Sequence, residues 1–522
     1  MFYSILFQNE AQDSVPKSTQ APECFQDLNL DQLFSSVLDA TQKYDLAPVF
    51  FTPLQDIKLI SYRQEIMKDL DNDVLYSLLK HFSLTVYPLS DAMEQLRCSR
   101  KSSNFRKHNY LAAGHLLDFA DRYSQEIADL SQKLSAFSLQ SEGMLSFRKY
   151  LIEISQSRDF IRLSESAAQL RQEFSSVKYC MLINHGGIHI RKYEGQESLA
   201  ETILKLFDRF RQDEARDYRR RISDTPYSDH METEVLQAVA KLYPEIFSDL
   251  EQFCSQYSDF MDQKLIRFSR EIQFYLSWQF YLQPFRAAGL PFHYPKICKN
   301  ADHLYALHSF DLALAASGPD KIVTNSFHLD TPEQILVITG PNQGGKTTFA
   351  RTFGQIHYLS SLGLSIPGRD SALFLFDHIY THFGREESIM TGSGKLREDL
   401  IRLHEILSHA TPKSILIFNE IFSSAALSDA LSLSRHMIDA LLSLHSPAVI
   451  VTFLDELAAI GPEAVSMMST VRENDPSERT FKIIRKPPDG LAYAIQLAES
   501  HGLTYQQLTR RLKDESTSYV SE

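Results

Sequence analysis

The stretch that decides the fold is Ile335–Arg351, ILVITGPNQGGKTTFAR. Ile335, Leu336, Val337 and Ile338 form a short β-rich apolar run that ends in Thr339-Gly340. Pro341, Asn342, Gln343, Gly344, Gly345, Lys346, Thr347 and Thr348 follow, and then a helix-compatible segment. This is the spacing G-x-x-x-x-G-K-[ST] with a strand before it and a helix after it, the context in which it forms a phosphate-binding loop. Glycines let backbone N–H groups turn inward around phosphate oxygens, and the helix N-terminus adds a favourable dipole. Lys346 can reach β- and γ-phosphates, and the Thr347 hydroxyl can ligate Mg²⁺.

At 522 residues the chain has room for several domains, at roughly 150 residues each. Its 43% hydrophobic and 23% charged content is ordinary for a soluble globular protein. No apolar run approaches the ~20 residues that span a bilayer, so no membrane partner is expected. The N-terminus, MFYSILFQNEAQDS, lacks the basic start of a signal peptide. Cys24, Cys98, Cys180, Cys254 and Cys298 are scattered, with no CxxC pair, which argues against a zinc site or a disulfide framework and fits a reducing, cytoplasmic setting. The net charge of −13 gives no global attraction to nucleic acid, so any such contact needs a local basic surface.

Outward from the loop, the chain falls into two styles. From about residue 46 to 298 the text is helical in period and poor in glycine and proline, as long packed helices are. Asn29 or Asp31 caps a helix near the start. Asp56 caps another, whose apolar face is Leu59, Ile60, Ile66 and Leu70. Further helical stretches run over Ala92–Cys98, Leu111–Leu134, Gly143–Ile154, Leu199–Arg221 and Glu232–Leu282, the last with a break near Tyr243-Pro244. One island, 177–193, reads as a β-hairpin turning at Asn184-His185-Gly186-Gly187. In it His185 is a turn residue and His189 an exposed strand residue rather than metal ligands. After the proline-rich Phe285–Pro295 segment, strands and helices alternate to about residue 485, the rhythm of a mostly parallel sheet. The expected organisation is a multidomain chain. Residues 1–45 are an N-terminal segment, 46–298 an all-α core or lever domain with the small hairpin, and 299–490 an α/β P-loop domain. A C-terminal helical element at 491–514 and a polar, disordered tail at 515–522 complete it.

Ser414–Glu420, SILIFNE, supplies the second half of the site. It is a buried strand with polar residues at its C-terminal end, where open α/β sheets place ligands. P-loop enzymes carry an Asp here that holds Mg²⁺. This chain has Asn419, which can accept a hydrogen bond from a water on Mg²⁺ but adds no charge, so weaker Mg²⁺ binding or slower turnover is expected. Glu420, next to it, is a candidate general base. Met390–Leu400 is a Gly/Ser turn entering a helix, either a second anion-binding N-terminus or a plain helix cap.

These residues together resemble the ATPase domain of the MutS family of DNA mismatch-repair proteins. The resemblance covers roughly Val323–Leu512. It rests on TGPNQGGKTTFAR at 339–351, Leu362-Gly363 with Ile366-Pro367, the strand to Glu420, Asp429 after it, and YAIQLAESHGL at 493–503. It implies an α/β ATPase of the ABC/MutS type that uses ATP and Mg²⁺, works as a dimer and binds DNA. It puts Ile322 and Val323 against adenine, gives Asn325 the place of an asparagine ahead of the loop strand, and makes the 491–514 element a dimerisation element. Its trans-acting signature falls on Gly394, beside Ser393, and the segment from Ser423-Ser424 to Asp429 could cross the dimer interface. More weakly, Pro53-Leu54-x-Asp56 with Ile60, Arg63-Gln64 and Leu70 is similar to the start of the family's core domain.

Departures are equally specific. The core signature begins near residue 50, and no Phe-x-Glu wedge precedes the ATPase domain, so wedge-type mismatch recognition is not implied. Asn419 stands in the place of the family's Asp, Phe422-Ser-Ser-Ala-Ala in that of Gly-Arg-Gly-Thr-Ser, and Phe453 in that of a His after Thr452. Two readings follow. One is a dimeric, MutS-like ATPase acting on DNA in repair or recombination, with Lys346, Thr347 and Glu420 of one subunit facing Ser393 or Gly394 of the other. The other is a nucleotide-dependent binding or scaffold switch with little or no turnover. Basic groups at Arg97, Arg100, Lys101, Arg106 and Lys107, and at Arg216, Arg219, Arg220 and Arg221, are either solvated helix faces or phosphate contacts.

Overall fold

The structure, a computed structural model, describes residues 2–101, 109–184, 187–195, 230–318, 321–384, 394–472, 475–488 and 503–509. The chain forms two compact units. One comprises Met1–Ser4, Ser77–Leu139 and Met144–Arg270, and the other Ile5–Tyr76, Gln140–Gly143 and Glu271–Glu522. Among the described residues no helix is long and apolar enough to cross a membrane.

The first unit is helical, apart from one hairpin, among the described residues. Its longest complete element is the 26-residue helix Tyr110–Ser135, started by Asn109, whose side chain accepts the Ala112 N–H. Leu116, Leu117, Ala120, Tyr123, Ile127, Leu130 and Leu134 recur on one face and are buried, the three-and-four spacing that burial of one stripe requires. Arg158–Ser176 packs beside it, capped by Ser157 on Phe160 N. Pro244 starts a fresh helix at 244–256, so the expected break at Tyr243 is present. A further break precedes Gln263–Glu271, and the next helix, Gln273–Ala287, belongs to the second unit. The hairpin pairs Tyr179–Asn184 with Gly187–Lys192 in antiparallel register. Its turn residues His185 and Gly186, and the helix expected at Leu199–Arg221, lie outside the described residues.

The second unit is built on a six-stranded sheet. Its spatial order is Ile379–Phe383, Ile415–Asn419, Ala448–Val451, Ile335–Thr339, Ala464–Arg472, Asp475–Arg485. The first five strands are parallel and the last is antiparallel to its neighbour. Ile335–Ile338 and Ile415–Phe418 are buried at every position, as strands covered on both faces must be. On one face Val337, Leu416, Phe418 and Ile450 share a core with Leu403, Ile406, Met437, Ile438 and Leu441 of helices 395–409 and 427–444. The other face carries helix Lys346–Ser361. There Gly354 admits Leu28: a Cβ would stand 2.5 Å from Leu28 Cδ2 and 2.9 Å from Ile417 Cδ1. A smaller mixed sheet joins Lys296–Cys298, Asp370–Phe374, His303–Ser309 and Asn325–Asp330.

Residues 5–76 cluster with this α/β region. Asn29 is the N-cap residue of helix Leu30–Thr41 but makes no side-chain cap bond; it sits at φ 54 and ends the preceding helix Cys24–Leu28. Asp56 caps Ile57–Asp69 through Lys58 N. Arg63 in that helix is fully buried. It donates to Leu6 O at 3.2 Å and Leu362 O at 3.3 Å, and its guanidinium lies over the Phe7 and Phe274 rings. Gly363 is needed at this contact, since φ is +79 and a Cβ would come within 2.5 Å of Arg63 Cβ.

Candidate functional site

The loop 340–345 joins the central strand Ile335–Thr339 to helix Lys346–Ser361 at the C-terminal edge of the parallel strands. Its turn depends on residues in the left-handed region: Gly340 at φ 111, Gln343 at φ 60 and Gly345 at φ 89. The floor under it is Ser469 of the neighbouring strand. Ser469 Oγ donates to Gly344 O at 2.7 Å. A Cβ on Gly344 would stand 2.1 Å from Ser469 Oγ, and one on Gly340 2.9 Å from Ser469 O. The glycines therefore serve both backbone conformation and close approach, leaving a main-chain cradle at a helix N-terminus.

Lys346 is 4% exposed. Its ammonium donates to Gly340 O at 2.9 Å, Pro341 O at 3.2 Å and Asn342 Oδ1 at 3.4 Å. Burial holds its pKa below the ordinary lysine value; Glu420 opposes that shift, Arg479 adds to it, and Asp455 opposes it. Thr347 Oγ1 donates to Asn419 Oδ1 at 3.0 Å. The first helical hydroxyl and the strand-end amide thus meet although 72 residues separate them. Glu420 follows at φ 53, its N–H bound to Val451 O at 2.9 Å. Thr348 is in the first turn of the helix, where its carbonyl accepts the Thr352 hydroxyl at 2.8 Å.

Ile322 and Val323 are half-buried in the segment leading to strand Asn325–Asp330. Asn325 brackets the last strand of the large sheet, donating to Phe481 O at 3.1 Å and accepting Ile483 N at 2.9 Å. Phe481 is a site neighbour that the sequence did not reveal. It is 47% exposed, at φ 56, and its Cα and Cβ stand 3.8 Å from a Cβ built on Gly345. Positive φ at an aromatic leaves no mark in sequence, and no pattern ties residue 481 to residue 345. Gly394 is the N-cap of helix Lys395–His409, in extended conformation. Ser393 and the 491–502 segment lie outside the described residues. Of the two basic clusters, Arg97 approaches Glu94 at 3.5 Å and Asp259 at 3.7 Å. The other side chains of both clusters lie outside the described residues.

The donor set fits a magnesium nucleotide. It comprises a glycine cradle too tight for side chains, a buried ammonium held by loop oxygens, and a hydroxyl–amide pair with Glu420 next in the chain. Residues 336–513 match the family model MutS domain V. The chain is 30% identical over 194 residues to Endonuclease MutS2 of Thermus thermophilus, covering 37% of this chain and 26% of that protein. It is 30% identical over 205 residues to DNA mismatch repair protein MutS of Desulfosudis oleivorans, covering 37% of this chain and 23% of that protein. The aligned part thus spans about a quarter of the length of these relatives. By its matched loop, sheet and helices, the C-terminal part of the chain, residues 336–513, belongs to the MutS family as a MutS domain V.

Proposed function

We propose that this protein binds and hydrolyses ATP with Mg²⁺ and couples the nucleotide state to DNA as a homodimer, without wedge-type mismatch recognition. The observation that carries this is the convergence of Lys346, Thr347, Asn419 and Glu420 at one end of the sheet, around the glycine cradle. The loop residues Gly340–Thr348 hold the phosphates, and Phe481, with Ile322 and Val323, offers apolar surface to the base. Thr347 and Asn419 would hold Mg²⁺. The metal, when bound, neutralises charge building on the phosphates. Lys346 supplies a positive charge already desolvated in the ground state, so it interacts strongly with phosphate oxygens. Glu420 orients and deprotonates the attacking water. On this reading residues 46–298 act as core and lever, 299–490 as ATPase domain and 491–514 as dimerisation element, with Ser393 or Gly394 reaching the partner's nucleotide.

Glu420→Gln tests the reading. Phosphate release should fall on the order of 100-fold, while ATP and ADP affinity stay within about 3-fold, because the amide keeps the size of the acid. Equal turnover in the two proteins would remove Glu420 from the chemistry. DNA binding, if it runs through phosphates, should weaken steeply with salt: each neutralised phosphate adds about −0.9 to the log–log slope. A flat salt profile on duplex, branched and single-stranded DNA would remove DNA as the partner.

The second reading, a switch with little turnover, is favoured by one contact. Thr347 meets an amide rather than a carboxylate at Asn419. Saturating ATP with no phosphate release above background, together with retained ATP affinity, would select it.

A further inference from the structure

Three elements of the α/β unit meet on one carboxylate near the proposed base. Asp399, in the second turn of helix Lys395–His409, is 4% exposed. Its Oδ1 faces His382 Nε2 of the edge strand at 2.8 Å. Its Oδ2 accepts the Phe422 N–H at 3.2 Å. Phe422 is itself fully buried and stands at φ 59, two residues after Glu420 at φ 53.

Two bulky non-glycine residues in the left-handed region, so close together, make a turn that its surroundings must hold in place. The restraints here are few and identifiable. Glu420 N is tied to Val451 O, Ala425 N to Phe422 O, and the Phe422 ring sits in the core with Leu403 and Ile406. Asp399 is the one link from the turn to helix 395–409 that is polar and charged among the described bonds. That helix starts at Gly394, and its Arg397 N–H returns to Gly394 O at 2.9 Å.

We propose that Asp399 is a positioning residue for Glu420. Clamped by His382, it fixes the Phe422 amide and so sets where the Glu420 carboxylate stands relative to Thr347 and Asn419. A displacement of helix 395–409 then reaches the carboxylate through this charged bond, beside the apolar core that the Phe422 ring shares with Leu403 and Ile406. This rests on the ATPase reading above. Small displacements of a reacting group cost rate far more than affinity, so the clamp acts on turnover and leaves binding alone.

Asp399→Ala and Asp399→Asn in the full chain test it. In the alanine variant, amide exchange at Phe422 of the nucleotide-free protein should rise at least about 10-fold. Its kcat should fall on the order of 10- to 100-fold, with KM and ADP affinity within about 3-fold. Asn keeps an acceptor for Phe422 N–H, and its amide can donate to His382 Nε2 once the imidazole proton is on Nδ1. It should recover most of kcat and of the exchange protection, which a general loss of fold would not allow. Three results overturn the proposal: unchanged kcat in Asp399→Ala, parallel loss of kcat and ADP affinity in both variants, or Asn no better than Ala. A wild-type protein that binds ATP but releases no phosphate overturns the ATPase reading, and the positioning role with it. Wild-type turnover with a fully active alanine variant overturns the positioning role only.

Discussion

Lys346→Ala is expected to weaken ATP and ADP binding on the order of 100-fold, about 2.7 kcal/mol, and to leave the nucleotide-free fold intact. The affinity loss follows from chemistry. The ammonium is the only side-chain cation among the candidate loop residues Gly340–Thr348, and charge-assisted bonds to phosphate are worth about twice neutral ones. The intact fold follows from linkage. Burial places the folded pKa of Lys346 below its ordinary value, so the unfolded chain holds that proton more tightly. The charged lysine therefore costs stability in full below the lowered folded pKa, and the cost fades as pH rises from there to the ordinary lysine value. At neutral pH its removal relieves that cost while giving up three hydrogen bonds from Nζ. The midpoint of urea unfolding should move by no more than about 1 kcal/mol in equivalent stability. Titration with a fluorescent ADP analogue checks the first part. Affinity within a few-fold of wild type would sink the assignment of the loop.

The second large effect is on the fold. Arg63→Met should destabilise the α/β unit by about 3–5 kcal/mol. Methionine keeps an apolar stem in the same channel, so the loss isolates the guanidinium. What goes is the donor to Leu6 O and Leu362 O and the cation over Phe7 and Phe274. The buried Glu271 also loses the positive charge whose electrostatic effect it shares with Arg63. Removing one of two interacting buried charges costs more than their interaction gained when intact, even though Glu271 keeps the Ile5 N–H at 3.3 Å. Trp278 is the sole tryptophan. It is fully buried in the same unit and donates to Ser365 O at 3.2 Å. Its fluorescence during urea unfolding therefore reports this transition. A loss under about 1 kcal/mol would show that water or a shifted loop replaces the guanidinium.

Much of the site could be read from the sequence because local chemistry defines it. A strand, a glycine turn of fixed spacing and a helix need only their own residues, and Gly340, Gly344, Gly345, Lys346 and Thr347 occur together in one loop. The strand ending at Asn419 was legible for the same reason. A continuous apolar run with polar residues at its end reads as a strand buried on both faces. The hairpin announced itself by its Gly-Gly turn and β-branched flanks, and the Asp56 cap by its position before an apolar stripe. Cap geometry was less legible at Asn29, where a left-handed backbone replaced the side-chain bond.

By itself, then, the sequence determined that a loop of this spacing exists, that helical periodicity dominates the first half apart from one hairpin, and that Asn419, at the end of its strand, carries no charge. Only the tertiary structure decided what that loop touches. Ser469 lies beneath Gly344 because a parallel strand more than a hundred residues on is its neighbour. Phe481 comes beside Gly345 because an antiparallel strand, bracketed by Asn325, closes the sheet. The clamp from His382 through Asp399 to Phe422 needs three elements at once. The physical reason is one of range. Turn geometry and periodicity act over a few residues and leave their pattern in the text. Packing between strands distant in the chain depends on the order of the sheet, which no local pattern records.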